Sequence, residues 1–304
     1  MQPEISIIIV NWNTRQLLAE CLQSLYKTLK GITFEVVVVD NASTDDSLDM
    51  LAEAFPSVQV IRNTENVGFP RANNQAMQIC CGKYFLLFNS DAVAMPNSIQ
   101  TMYNLAENQP KAGMVGAQLI NPDGSFQASH TRFPNLWQEF LILTGLGRII
   151  LGSWYPSQGP QAEKGSQMVD YVEGACMFVR AEAYRQVGGM DEGYFMYAEE
   201  VDWCYQLRQG GWQVWYHPEA RVIHHGGASS KSRRTQREGD LYRSRVQFFR
   251  KHYGALPAFL LKILIFNLTG IKILVHKCIN LMSGGRRGRS VISLSDLSQK
   301  LKGA

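Results

Sequence analysis

The first third of the chain alternates unbroken apolar runs with amphipathic segments. Runs without polar alternation are typical of strands that are buried on both faces of a parallel sheet. Such runs lie at residues 6–10, 36–39 and 84–88, and a further strand is predicted at 58–61. Helical spacing or a capping residue marks the intervening segments, at about 15–29, 43–55 and 71–79. This order predicts an α/β fold with a Rossmann-like, mostly parallel central sheet and helices on both faces.

Polar side chains follow each of the four predicted strands. They are Asn11 and Asn13, Asp40 and Asn41, Asn63 and Asn66, and Asn89 with Asp91. Any one of them could serve only a turn or a helix cap, where Asp and Asn are common. Ligands of open parallel sheets bind at the carboxyl ends of the strands, so four consecutive polar ends favour a binding site. The chain has neither GxGxxG nor GxxxxGKS/T, which argues against a dinucleotide site or a Walker-type phosphate loop.

Two acidic motifs suggest what such a site could do. Phe88-Asn89-Ser90-Asp91 closes an apolar run with a carboxylate, which suits a divalent cation. Tyr197-Ala198-Glu199-Glu200-Val201-Asp202-Trp203 has three carboxylates within four residues. These carboxylates could begin a helix over 199–209, where they favour the helix dipole, and one of them could also deprotonate a hydroxyl. Together the motifs favour group transfer from an activated donor.

Three further residues near the acidic run are candidates for the acceptor side. Asp191 precedes an aromatic cluster and is expected to shape an acceptor pocket. Asp202 lies two positions from Glu200 and therefore points away from it on a helix, which suits a structural or acceptor-orienting role. Trp203 could stack on a sugar, although core packing is the commoner fate of a tryptophan.

The net charge of +4 conceals a strong asymmetry. Residues 1–220 carry 13 Lys/Arg and 23 Asp/Glu, whereas residues 221–304 carry 17 and 3. A basic C-terminal part indicates an anionic partner: nucleic acid, a membrane surface or a phosphorylated substrate. Few aromatic residues are interleaved with the basic ones between 226 and 240, so we expect no nucleic-acid partner.

The segment 256–282 is apolar, and its basic residues fall on one arc of a helix, followed by a basic stretch at 284–289. This pattern predicts an amphipathic helix lying at an anionic membrane surface; packing on the domain or on a partner subunit is the alternative. The predicted boundaries are a catalytic domain at 1–254, with a nucleotide-binding half at 1–115 and an acceptor-binding half at 116–254, and a membrane-associating tail at 255–304.

Cysteine usage and the N-terminus bear on location. The six cysteines form no CxxC pair, and a reducing compartment suits them better than an oxidising one. The first four residues contain no basic region, and the apolar run that follows is too short for a signal-peptide core. We therefore expect a cytoplasmic protein, peripheral on the inner face of the cell membrane.

Eight stretches of the chain occur in an order typical of one enzyme family. They are residues 6–13, 38–45, 66–74, 88–91, 174–180, 188–191, 195–202 and 220–227. In these motifs the chain resembles family 2 glycosyltransferases of the GT-A fold, especially the bacterial rhamnosyltransferase-like branch. The resemblance covers about residues 4–254.

The resemblance implies how a nucleotide-sugar donor would bind. It places Asp40 at the nucleobase and the backbone near Asn11 and Asn13 in the same pocket. It implies that Gly68 lets the chain pass close to the nucleotide and that Asn73 or Asn74 braces that loop. The expected donor-binding set also contains Asn41, Asn89 and Ser90.

A metal site is implied by the same resemblance. Asn89-Ser90-Asp91 takes the place of the family's DXD motif, and because its first residue is Asn, Asp91 must carry most of the metal's charge. His224 matches the family's late histidine, with His225 as the alternative. Hard oxygen ligands on a diphosphate imply Mg²⁺ or Mn²⁺ as the cofactor.

The family's catalytic base is the second residue of an acidic pair, which here is Glu200, with Glu199 as the alternative. The resemblance implies inverting transfer of a sugar to a lipid-linked or polysaccharide acceptor, such as a polyprenyl-linked glycan, in cell-envelope glycan synthesis. The branch implies a thymidine-diphosphate rhamnose donor, with uridine-diphosphate hexoses as the rival. A sugar-1-phosphate nucleotidyltransferase, which would need a Gly-rich loop after the first strand, and a non-catalytic nucleotide-sugar binder are the alternatives.

Overall fold

A computed structural model describes residues 2–157, 159, 164–227, 234–282 and 292–302. Its strands are β1 Ile5–Asn11, β2 Phe34–Asp40, β3 Gln59–Arg62, β4 Tyr84–Phe88, β5 Ala92–Ala94, β6 Ala112–Ile120, β7 His130–Thr131, β8 Gln167–Met168, β9 Tyr171–Val172, β10 Cys176–Arg180 and β11 Gln213–His224. Its helices are α1 Arg15–Thr28, α2 Ser47–Ala54, α3 Phe69–Ile79, α4 Ser98–Asn108, α5 Leu136–Thr144, α6 Leu146–Ile150, α7 Ala181–Val187, α8 Glu199–Gln209, α9 Arg234–Tyr253, α10 Ala255–Met282 and α11 Leu294–Leu301.

The central sheet has the strand order β3-β2-β1-β4-β10-β6-β11-β5, with β8 paired to β11. The first four strands in this order are parallel, as the alternation of strands and helices predicted. β10 enters antiparallel between β4 and β6, and β11 then runs parallel to β6. The predicted α/β fold with a mostly parallel central sheet is confirmed.

Helices cover both faces of this sheet. Because successive side chains of a strand point to opposite faces, Ile7 and Ile9 of β1 belong to one core cluster and Ile8 belongs to another. Leu18 and Leu22 of α1 pack into the first cluster, and the small residues of α3 and the buried face of α8 pack into the second. Both faces of the central strands are therefore dry, which explains their lack of polar alternation.

Contacts divide the chain into two compact units. The first comprises 1–133, 157–195 and 199–229, and the second comprises 134–156, 196–198 and 230–304. The second unit is helical among its described residues, with α5, α6, α9, α10 and α11. The functional boundary at residue 254 stays a prediction, since α9 groups with the tail in this division.

The tail segment forms one long helix, α10, close to the predicted range. Its buried positions, Ala258, Leu261, Ile265 and Thr269, recur at helical spacing. By length and composition alone, Ala255–Lys277 could also cross a membrane, and only 22% of its most apolar stretch is buried. The basic stretch at 284–289 lies outside the described residues.

Candidate active site

The ends of β1 and β2 lie side by side, with Asn11 in register with Asp40. Both side chains are buried. Asn11 Nδ2 donates to Asp40 Oδ1 at 2.8 Å, and the Ser43 backbone N–H donates to Asp40 Oδ2 at 2.9 Å. Each Asp40 oxygen already accepts one hydrogen bond and the residue is 1% exposed, so this arrangement fixes the carboxylate in place.

The loop after β2 is held by the loop after β1. Asn13 Oδ1 accepts from the Thr44 backbone N–H at 2.7 Å, and the Asn13 backbone N–H donates to Ser43 Oγ at 2.9 Å. Thr14 Oγ1 lies 2.7 Å from Asn11 Oδ1 and 2.8 Å from Ser90 Oγ. Thr14 therefore links the end of β1 directly to the 89–91 motif after β4.

An amide cluster extends this edge toward Gly68. Asn63 Nδ2 donates to Asn41 Oδ1 at 2.8 Å, and Asn41 Nδ2 lies 3.4 Å from the Gly68 carbonyl oxygen. Gly68 has φ +86°, and a Cβ there would lie 2.6 Å from the Phe195 carbonyl oxygen. Glycine is thus required here by backbone conformation and by close packing. That packing against Phe195 is a constraint the sequence did not indicate.

Asn73 and Asn74 of α3 have different surroundings. Asn73 Nδ2 donates to the Phe69 carbonyl oxygen at 2.9 Å, within the first turn after Gly68. The Asn74 side chain is a two-way clamp on Met190: its Oδ1 accepts from the backbone N–H at 3.0 Å and its Nδ2 donates to the carbonyl oxygen at 2.8 Å. Asn73 lies where a brace of the Gly68 loop is expected, whereas Asn74 holds the segment before Asp191.

Asp91, Asn89 and His224 form a compact cluster at the ends of β4 and β11. His224 Nε2 lies 3.2 Å from Asp91 Oδ1 and 3.3 Å from Asn89 Nδ2. The backbone repeats the connection, since the His225 N–H donates to the Asp91 carbonyl oxygen at 3.0 Å. The side chains of Asp91 and His224 are 10% and 16% exposed, so both are shielded and still reachable.

Gln127 orients the imidazole ring of His224. Gln127 Nε2 donates to the His224 carbonyl oxygen at 3.2 Å and to Asn121 Oδ1 at 3.0 Å, which orients the amide. Gln127 Oε1, 2.7 Å from His224 Nδ1, must then accept a hydrogen from that nitrogen. Nε2 is then the ring nitrogen that faces Asp91 and that a metal could bind.

These residues fit a divalent cation. His224 Nε2 and Asp91 Oδ1, 3.2 Å apart, are a nitrogen and a carboxylate oxygen that one cation could bind together. No group of three His, Cys, Asp or Glu side chains that could hold a metal occurs among the described residues, so Asn89, water and the substrate would have to complete the shell.

The acidic pair lies at the start of α8, which matches the predicted 199–209. Tyr197 and Ala198 precede it with φ of +75° and +66°, two consecutive left-handed residues. Each such residue costs about 1–2 kcal/mol, so the entry into this helix is strained. Backbone strain of this kind collects where side chains must be held in position.

Glu199 and Glu200 differ in environment. Glu199 is 4% exposed, and its Oε2 is buried with no hydrogen-bond partner in the described structure. Burial, reinforced by the charge of Glu200, raises the pKa of Glu199 well above its ordinary value. Glu200 is half-buried. A carboxyl that keeps its proton cannot serve as a base, so this contrast favours Glu200 over Glu199.

Glu200 is connected to the Asp91 cluster through the segment before β10. A Cβ on Gly174 would lie 3.8 Å from Glu200 Cβ and 4.0 Å from its Cδ, so the Glu200 side chain passes over Gly174. The next residue, Ala175, accepts a hydrogen bond from the Asn89 backbone N–H at 3.0 Å. The acidic pair and the 89–91 motif therefore share one edge of the sheet.

The three acceptor-side candidates lie in different environments. Asp191 is half-buried in a turn, where its Oδ1 accepts from the Gly193 N–H at 2.8 Å. Asp202 is fully buried and accepts from Gln206 Nε2 at 2.5 Å. Trp203 is fully buried, and its indole N–H donates to the Gly188 carbonyl oxygen at 2.9 Å. The structure favours the structural alternative for Asp202 and the packing alternative for Trp203.

Two members of the site had no sequence signal that identified them. Gln127 follows a turn and belongs to no motif; only its contact with His224 reveals it. Thr14 is an ordinary residue at a helix start by sequence, yet its hydroxyl joins two strand ends.

Comparison with known proteins identifies the family of this chain. The family described as glycosyl transferase family 2 matches residues 6–187. The N-acetylglucosaminyl-diphospho-decaprenol L-rhamnosyltransferase of Mycobacterium tuberculosis is 30% identical over 213 residues, which are 64% of this chain and 67% of that protein. The low-salt glycan biosynthesis hexosyltransferase Agl10 of Haloferax volcanii is 25% identical over 214 residues, covering 69% of this chain and 63% of Agl10.

Solved structures support the fold. The mannosyltransferase PcManGT from Pyrobaculum calidifontis, in complex with GDP-Man and Mn²⁺, superposes with a TM-score of 0.56 at 18% identity, covering all of this chain and 80% of that one. The likeness confirms the GT-A fold expected from the motifs. With the family match covering more than half of its length, the chain belongs to glycosyl transferase family 2.

Proposed function

We propose that this transferase moves a sugar from a nucleoside-diphosphate donor to a lipid-linked glycan acceptor, with inversion at the anomeric carbon and with a divalent metal. The observation that carries the proposal is the shared sheet edge described above. It joins an anchored acid for a nucleobase (Asp40), a cation site (Asp91 with His224) and a proton acceptor (Glu200).

Donor binding follows from the strand ends. Asp40, oriented by Asn11 and Ser43, offers a carboxylate to the N–H groups of a base, and residue 91 lies where the diphosphate would follow. Asp91, His224 and Asn89 would hold the metal, whose positive charge stabilises the departing diphosphate. The nitrogen ligand favours Mn²⁺ over Mg²⁺, since Mg²⁺ prefers an all-oxygen shell.

In the transfer step, Glu200 accepts the proton of an acceptor hydroxyl. The hydroxyl oxygen forms a bond to the anomeric carbon as the bond from that carbon to the diphosphate oxygen breaks on the opposite face, and the electron pair leaves with the diphosphate. Glu199, protonated because it is buried beside Glu200, keeps a second negative charge away from the base.

The proposed acceptor rests on a relative, and the proposed location follows from that acceptor. The mycobacterial relative is named for a diphospho-decaprenol acceptor and for L-rhamnose. We propose a polyprenyl-diphosphate-linked sugar as the acceptor, rhamnose as the first donor to test, and action at the cytoplasmic face of the cell membrane in envelope glycan synthesis.

Glu200→Gln tests the assignment. Loss of a general base lowers turnover by about 10²–10⁴-fold while donor binding is retained. We expect this loss in a radiolabelled transfer assay, with unchanged thermal stabilisation by the donor and Mn²⁺. Glu53→Gln, an exposed position on α2, is the matched control, and Glu199→Gln should keep most activity because glutamine resembles the protonated acid. Full turnover by Glu200→Gln, or loss only in Glu199→Gln, would remove Glu200 from this role.

A further inference from the structure

The second unit exposes an unusual amount of apolar side chain at the start of α5, at the end of α6 and in the turn after α6. Ile149 is 80% exposed, Trp137 is 67% exposed, and Ile150, Leu151 and Trp154 are exposed as well. Three of these are consecutive in the sequence. Single exposed apolar residues are ordinary, but a contiguous apolar cluster marks an interaction surface.

The apolar turn, defined as residues 146–154 and formed by α6 and the turn after it, packs closely against the rest of its unit. A side chain at Gly147 would overlap the Tyr155 ring, so the chain passes closely over that ring. The Tyr155 hydroxyl reaches the Gln138 carbonyl oxygen at 3.5 Å, and Gly145 at φ +76° separates the two helices. The exposure of Ile149 and Ile150 is therefore a property of an ordered turn.

α10 adds a second apolar face within the same unit. Several of its inner positions are buried, while outward positions between Leu256 and Val275 carry large apolar side chains. They are Leu256, Phe259, Leu260, Ile263, Ile271, Leu274 and Val275. The stretch from Leu256 to Val275 is about 30 Å long at 1.5 Å per helical residue, so the face is extended.

Charge identifies the occupant. By sequence, the residues of the second unit include 17 Lys/Arg and only 4 Asp/Glu. Two of those carboxylates are already neutralised: Glu139 by Arg245 at 2.7 Å, and Asp240 by Lys300. Exposed apolar side chains within a strongly cationic unit complement an anionic phospholipid surface, where the apolar groups enter the acyl boundary and the cations meet the headgroups.

The contacts of α10 argue that it lies along the bilayer and does not cross it. Lys262 Nζ donates to the Leu301 carbonyl oxygen at 3.0 Å, and Leu261 and Ile265 are fully buried. A spanning helix would have to give up these contacts and carry Lys262 and Lys272 into the hydrocarbon, which is costly.

We propose that the apolar turn and the outer face of α10 insert together into one leaflet of an anionic bilayer. The inference rests on the proposed function only for its purpose, which is to bring a lipid-linked acceptor to the enzyme. The surface itself is independent of the chemistry.

The test uses the full chain and vesicles of phosphatidylcholine, alone or mixed with phosphatidylglycerol. We expect binding to the mixed vesicles, weakened by salt because headgroup attraction is screened. I149E/I150E should lower the vesicle partition coefficient roughly tenfold or more, since two apolar side chains lose their buried site. Ile79→Glu is the matched control, an exposed isoleucine of the first unit, and should bind like the wild type.

Three results would overturn the proposal: no vesicle binding by the wild type, unchanged binding by I149E/I150E, or retention of the wild type in membranes after alkaline carbonate extraction, which indicates a spanning helix. Conversion of a dimer to a monomer by I149E/I150E in vesicle-free buffer would also overturn it, because the face would then bind a second copy. Thermal unfolding should match the wild type, since both positions are exposed. Transfer to a water-soluble acceptor should survive in I149E/I150E, whereas failure of the proposed function would abolish transfer and leave vesicle binding intact.

Discussion

Removing the side-chain amide of Gln127 is the sharpest probe of the cation site. The Gln127 side chain forms two hydrogen bonds with His224, one with the imidazole and one with the backbone carbonyl oxygen. Gln127 therefore acts on the site through the histidine. In Gln127→Ala, the imidazole can rotate or shift its hydrogen from Nδ1 to Nε2. The nitrogen that faces Asp91 would then no longer be a dependable ligand.

The magnitude follows from the hydrogen bond that the substitution removes. A donor left without its partner costs about 1–3 kcal/mol when it is buried. The His224 side chain is 16% exposed, so water can replace part of that bond and the lower half of the range applies. Loss of an orienting partner typically lowers metal affinity 10–100-fold, and about 1.4 kcal/mol corresponds to tenfold. We therefore expect about a tenfold weaker Mn²⁺ complex.

Mn²⁺ titration with nucleoside diphosphate present, followed by the paramagnetic resonance of free Mn²⁺, measures this directly and needs no turnover. Gln127→Glu keeps an acceptor for Nδ1–H and should bind Mn²⁺ at least as well as the wild type. Gln186→Ala, which removes an exposed amide bonded to the Gly210 carbonyl oxygen, is the matched control. Equal Mn²⁺ affinity in Gln127→Ala and the wild type, with the fold intact, would refute the reasoning.

Two further substitutions test the buried acids. Burial raises the pKa of Glu199, so the folded chain holds a proton that the unfolded chain releases above about pH 4.5. The contribution of this group to the free energy of unfolding therefore falls as pH rises. Glu199→Gln should flatten that decline in denaturant unfolding, and parallel pH profiles of the variant and the wild type would contradict it. Arg245→Met leaves the Glu139 carboxylate buried without its cation and should lower the free energy of unfolding by about 3–5 kcal/mol. Adding Glu139→Gln should restore much of that loss. An unchanged free energy of unfolding in Arg245→Met would contradict a stabilising ion pair between the two residues.

The parallel half of the sheet was predictable because its signal is local. Three of the four strands are continuous apolar runs, the first three strands are followed by helical patterns, and all four end at polar residues. Asn11 and Asp40 meet because parallel strands end together, which follows from the fold class alone. α8 was likewise predictable from a short stretch, from its acidic start to the paired glycines after it.

Other features depend on contacts between distant parts of the chain. The clamp of Asn74 on Met190 joins residues 116 apart, and no spacing rule announces it. The antiparallel entry of β10 between β4 and β6 is also invisible in a five-residue apolar run. Glu199 is buried whereas Glu200 is half-buried, and a sequence pattern cannot predict such a difference between two adjacent glutamates.

The order of strands in the sheet has a consequence for how this protein is made. β4 and β6 leave the ribosome before β10, the strand that lies between them, so the growing chain has a gap at the centre of its sheet. His224 and Asp91 are still farther apart in synthesis, separated by 132 residues. Pairings of such long range form slowly and leave unpaired edges exposed in the meantime. A nascent chain should therefore form the proposed cation site late and abruptly, when nearly the whole first unit has emerged. Truncated chains that lack His224 should not bind the cation.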